Sequence, residues 1–182
     1  EWVVDQRLAF LISQGEPLQA DRYPDLTIYQ KYRLRALQAW WDSRSVDGLK
    51  WWQKQPRPPR GLLELAAVTY MKAVNQHEET LRDIEQLRLS QPVEADVILA
   101  ILRIRQGRLP EAVSALESAF VGYRRDPWAR PVLMGRALAM AIDLGGRDPT
   151  HAERLYEILR PPFTMDFARD TRLNAMLNLG YD

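Results

Sequence analysis

Between residues 93 and 127, apolar side chains return every three or four positions, the period that predicts helices. Residues 95–106 are apolar on nearly every face and contain neither proline nor glycine. Gly107 then offers the left-handed conformation that commonly closes a helix. Pro110 suits the first turn of a second helix, where its missing N–H goes unnoticed, and Glu111 meets the positive end of that helix's dipole. Ala112, Val113, Leu116, Ala119 and Phe120 continue as one apolar stripe, ended by Arg124, Arg125 and Pro127. So short a turn forces the two helices to lie antiparallel. The segment predicts a helical hairpin.

The same pattern recurs on both sides. Residues 61–74 predict an apolar helix, 75–77 a turn, and 78–89 its partner. Downstream, 131–144 predict another, 145–147 a turn and 150–159 the partner, before Pro161-Pro162 stops the chain. Nearer the N-terminus, residues 1–14, 26–41 and 46–53 predict three further helices, with a turn over 19–25. Residues 163–179 predict a closing helix whose polar outer face would be Arg169, Asp170, Arg172, Asn174 and Asn178. Clustered prolines at 56–60 predict an extended connector. No stretch predicts a strand.

The run Gly107-Arg108-Leu109-Pro110-Glu111-Ala112, with Leu116 and Ala119 after it, resembles the turn and second helix of the tetratricopeptide repeat. That family places a small residue where the two helices approach, a larger one four positions on, and a small one three further. Ala112, Leu116 and Ala119 match those demands, whereas Asp96 and Arg103 stand where the family's first helix carries large or aromatic residues. Thr80 aligned with Ala112 brings Ile84 and Leu87 to the places of the large and the second small residue and Pro92 to that of a terminating proline, and Ala152 and Tyr156 stand at the matching spacing downstream. The intervals are unequal, so the repeats are degenerate. The resemblance implies an all-α, right-handed α-solenoid of antiparallel helix pairs, with about three repeats plus flanking helices. One domain over 1–182 is expected, with N-terminal helices to 55, the connector at 56–60, repeats over 61–92, 93–127 and 128–160, and a cap at 163–179.

Composition narrows the function by exclusion. The 182 residues carry a net charge of +1, so no global field draws the chain to nucleic acid. No cysteine is present, which rules out disulfides and thiolate metal sites. No apolar run is long and clean enough for a membrane helix, so insertion is not expected and a soluble chain, cytoplasmic or periplasmic, is. The chain begins at Glu1 without a signal peptide, and a fragment of a larger protein is the favoured expectation.

Candidate chemistry is sparse. His77 and His151 each fall in a predicted turn, and His151 near Glu153 and Glu157 lacks a second histidine, so a surface position is expected for it. Serines lack a nucleophile-elbow context, and no glycine-rich loop follows a strand. Catalysis, metal and cofactor are therefore not expected. The doublets Trp40-Trp41 and Trp51-Trp52 admit an aromatic platform for sugar, headgroups or peptide. Adjacent helical positions diverge by about 100°, which favours one ring inward and one at an edge. The PxxP in the connector with its flanking arginines admits docking in an aromatic groove, against the plainer role of a link.

Second helices of the repeats are amphipathic, with Glu111, Ser114, Glu117 and Ser118 on one exposed face, whereas first helices are apolar nearly all round. The resemblance implies that first helices line a concave surface, here formed by Val97, Ile101, Ile104 and Arg105 with Leu65 as neighbour. A groove of that kind is filled by the N-terminal helices, a second copy in a homodimer, or a partner. The expected function is a non-catalytic scaffold binding another protein or peptide. The alternatives are a helical accessory or regulatory tail acting on another domain of a larger enzyme or membrane protein, and a tryptophan-based polysaccharide or cell-wall module. Apolar Val97 and Ile101 disfavour a clamp for acidic C-termini.

Overall fold

In the computed structural model, the described residues are Phe10, 24–164 and 169–180. Among them the regular structure is entirely helical. The helices are α1 (Ile28–Trp41), α2 (Ser45–Gln53), α3 (Leu62–Val74), α4 (Thr80–Arg88), α5 (Pro92–Arg105), α6 (Leu109–Tyr123), α7 (Pro131–Gly145), α8 (Pro149–Leu159) and α9 (Arg169–Leu179). Expectations for residues 1–14 and most of 19–25 lie outside the described residues. The contacts divide the chain into two compact units, Glu1–Asn75 and Gln76–Asp182, with the division inside the 61–92 segment.

In the first unit Thr27 starts α1 through a capping box. Its hydroxyl accepts from the Gln30 N–H at 3.3 Å, and its own N–H donates to Gln30 Oε1 at 2.8 Å. Leu34, Leu37 and Trp40 recur on the buried side of α1. Helix α2 packs on α1 and α3 at Gly48, where a Cβ would lie 3.1 Å from the Ala36 carbonyl oxygen and would collide with the Met71 sulfur. A side chain there would have to displace Met71 and press on that carbonyl.

In the second unit proline opens four successive helices, at Pro92, Pro110, Pro131 and Pro149. Gly107 turns α5 into α6 at φ +72°, and those two helices share the most extensive contact of any pair. Helices α7, α8 and α9 each contact the two helices that precede them. Helix α5 is consequently walled by α4, α6 and α7.

The closing segment differs from the expected helix over 163–179. Phe163 and Thr164 are not helical, and the described helix runs from Arg169. Phe163 instead lays its ring 5.9 Å from Phe120 and 5.5 Å from Tyr123, while the Thr164 N–H donates to the Tyr123 carbonyl at 3.2 Å. Burial of its ring against Phe120 and Tyr123 holds Phe163 in that position.

Candidate interaction surfaces

The face of α5 expected to bind a partner is largely covered. Val97 is fully buried, Ile101 is 8% exposed, Ile104 is half-buried and only Arg105 is exposed. Leu65 belongs to α3 of the first unit, where it is half-buried. Val97 and Ile101 therefore present no surface to a partner, because three helices of their own unit surround α5. Among the other positions singled out in the sequence, Thr80, Ile84, Ala112, Leu116, Ala119 and Ala152 are buried. Gly107 sits in its turn, and Tyr156 is half-buried beside a groove described below. Glu117, expected on a bare outer face, bonds Arg154 of α8 at 3.0 and 2.7 Å and so ties α6 to α8.

The tryptophan doublets form no open platform. Trp40 and Trp52 are buried, and Trp41 meets Trp40 edge-on at 6.5 Å. Half-buried Trp51 is engaged by its own chain: Tyr32 stacks on it at 5.7 Å, and Arg35 and Lys54 approach its ring centroid at 4.8 and 4.2 Å.

The buried cation of the first unit is Arg33, 1% exposed in the middle of α1. Its guanidinium forms an ion pair with Glu64 of α3, stands 4.8 Å over Trp52, and donates to Gln55 Oε1 at 2.9 Å and to the carbonyls of Arg57 and Pro58 at 3.4 and 3.2 Å. One arginine thus fastens the proline-rich connector by its backbone. That satisfies carbonyls which extended proline segments leave without intrachain partners. The one signal of Arg33 in the sequence is its place among Gln30, Leu34 and Leu37, which puts it on the buried side at helical spacing.

A second set of buried polar groups lies where α5, α6 and α7 meet. Glu94, 1% exposed, accepts from the Arg130 N–H at 3.0 Å and so caps α7 from a neighbouring helix. The other Glu94 oxygen and the Tyr123 hydroxyl are buried without a hydrogen-bond partner. Burial pushes the Tyr123 hydroxyl's pKa well above the ordinary phenol value, and the charges of Glu94 and Asp126 add to the effect.

Two residues expected at the surface are buried. His151 is 8% exposed, and its Nδ1 has no partner. Arg172, 7% exposed, sends Nη1 to the carbonyls of Leu159 and Arg160 at 2.5 and 3.1 Å, satisfying the C-terminus of α8. A cation belongs at that end of the helix dipole. Among the described residues no group of three His, Asp or Glu side chains is gathered where it would hold a metal ion, and no helix is long and apolar enough to cross a membrane.

Described residues of the second unit line surface grooves. One, of about 400 Å³, runs between α5 and α6 over Asp96, Leu99, Arg103, Glu111, Ser114 and Ser118, with Arg103 bonded to Glu111 at 3.1 Å. Pro110 and Ala115 also line it, and its charged groups are already paired, Asp96 with Arg88 and Arg103 with Glu111. Another, of about 480 Å³, lies between α8 and α9 and is lined by Tyr156, Leu173, Met176, Leu177 and Gly180. Leu173 is 39% exposed and Leu177 60%. Their spacing of four was available in the sequence, but the polar residues between them drew the reading towards a solvated cap. No family model, curated protein or solved structure matches the chain.

Proposed function

We propose that the chain is a non-catalytic protein-interaction module of the tetratricopeptide type, and that it docks an amphipathic helix of another polypeptide in the α8–α9 groove. Resemblance at Gly107 to Ala119 supports the repeat assignment. So does the order of packing, since α7, α8 and α9 each rest on the two helices before them. Antiparallel pairs stacked in register, as in a right-handed solenoid, generate that succession. The same step taken once more lays a helix on α8 and α9, and there no described helix covers Leu173, Met176 and Leu177. That exposed apolar groove, continuous with the internal packing, is the observation that carries the reading. An occupant with apolar residues at i, i+3, i+4 and i+7 matches it chemically.

The test places a photo-reactive phenylalanine analogue at Leu177 of the full chain and maps its adducts by mass spectrometry. Adducts on a helix with that apolar stripe, lost in Leu173→Glu at unchanged helicity, are expected. Labelling no stronger than at exposed Arg147 would overturn the proposal. So would adducts confined to a second copy of this chain.

A further inference from the structure

The near-zero net charge of the whole chain conceals a segregation. The first unit, residues 1–75, holds eleven lysines and arginines against eight aspartates and glutamates, a net +3, while the rest of the chain carries −2; its stretch 24–75 holds nine against four. Within that stretch three of the acids are already used: Glu64 by Arg33, Asp42 by Arg44, and Asp47 by Arg44 and Lys50. Among the described residues Lys31, Lys54 and Arg57 form no ion pair. These cations are not scattered. Lys31, Tyr32 and Arg35 share the outward stripe of α1, at the spacing that aligns side chains on one helical face. Lys54 at the end of α2 reaches over both Trp51 and Tyr32, at 4.2 and 5.7 Å from the ring centroids. Arg57 follows on the connector, whose backbone Arg33 holds in place. At the N-terminal end of the same α1 stripe, Ile28 is 51% exposed, and its neighbour Tyr29 is 47% exposed.

We infer that this face of the first unit docks on an anionic phospholipid surface. Lys31, Lys54 and Arg57, without acidic partners among the described residues, call for an anionic counterpart, and electrostatic attraction to such a surface grows with each lysine or arginine presented. The remaining composition selects lipid. Tyrosine and tryptophan rings with a polar edge, exposed aliphatic Ile28, and the Lys54 ammonium held over aromatic rings suit the boundary between headgroups and acyl chains. Trp51 has its ring engaged by Tyr32, Arg35 and Lys54, which leaves it ill suited to stack on a nucleic-acid base. Docking is peripheral, since no helix among the described residues is built to span a bilayer.

The full chain is sedimented with vesicles of phosphatidylcholine alone and of phosphatidylcholine with phosphatidylglycerol in equal parts. Binding to the mixed vesicles only, weakening as salt is raised, is expected. Replacing Lys31, Lys54 and Arg57 together by glutamine should weaken it on the order of a hundredfold, about fivefold per charge. The matched replacement of Arg82, Arg105 and Arg125 in the second unit should leave it nearly intact. Brominated lipid should quench the wild-type fluorescence more than that of Trp51→Phe, a readout that does not depend on the charge variants. Equal binding to both vesicle types would overturn the inference. So would failure to bind mixed vesicles while polyglutamate or a single-stranded oligonucleotide binds, and so would equal loss in the two triple variants.

Discussion

Ile101 decides whether the face of α5 is a groove or a core, and Ile101→Glu measures it. The isoleucine is 8% exposed on a helix walled by α4, α6 and α7. Losing its burial forfeits about 1.5–3 kcal/mol of transfer free energy. A carboxylate placed there without a hydrogen-bonding partner costs a few kcal/mol more, or takes up a proton at a comparable cost. Part is recovered if the longer side chain reaches water past half-buried Ile104 towards the exposed Arg105 one turn on. A net loss of about 3–5 kcal/mol is therefore expected, at the upper end of single substitutions. At about 4–8 °C per kcal/mol for a unit of this size, the melting temperature falls by more than about 10 °C, or the second unit does not fold. Thermal melts followed by far-UV circular dichroism supply the measurement. Arg105→Glu, one turn away and exposed, serves as the control and should melt with the parent. An Ile101→Glu protein melting within a few degrees of the parent would show that the face is open to water, and the packing described for α5 would be wrong.

Arg33→Met should destabilise the first unit by about 3–5 kcal/mol in urea unfolding, because Glu64 and the connector carbonyls lose their buried cation; adding Glu64→Leu should recover most of it. An unchanged midpoint for the single variant would refute the clamp. Tyr123→Phe removes a buried hydroxyl that has no partner, so at neutral pH stability should hold or rise by about 1 kcal/mol. The folded Tyr123 keeps its proton beyond the point where the unfolded phenol loses it, near about pH 10. Stability is then full below that pH and falls as pH rises towards the folded value, and Tyr123→Phe should flatten the decline. A clear loss of stability at pH 7 would mean that the hydroxyl is bonded after all. A double-mutant cycle on Glu117 and Arg154, 28% and 40% exposed, should give a coupling of no more than about 1 kcal/mol that shrinks in salt. A coupling unchanged in salt would contradict the exposed pairing.

The sequence by itself determined what is local. An all-helical chain follows from the three-to-four-residue period, and apart from the closing segment the described helices begin and end within three residues of expectation. The turn at Gly107, the prolines that open α5 to α8 and the extended connector belong to the same class. Each depends on a residue's own backbone preferences and on neighbours a few positions away. Which apolar faces are covered was decided only by tertiary structure. Val97 and Leu177 both lie on apolar stripes, yet one is fully buried and the other 60% exposed, because α4 and α7 close over α5 and no described helix covers the α8–α9 groove. Polar residues divide in the same way. Arg33, Glu94 and Arg172 look solvated when read along the chain and are buried in the fold, since each answers backbone groups or charges brought from elsewhere. Those partners stand 31 residues apart for Arg33 and Glu64, 36 for Glu94 and Arg130, and 13 for Arg172 and Leu159. Helical periodicity repeats over a few residues and carries no information at those separations; only packing brings such groups together.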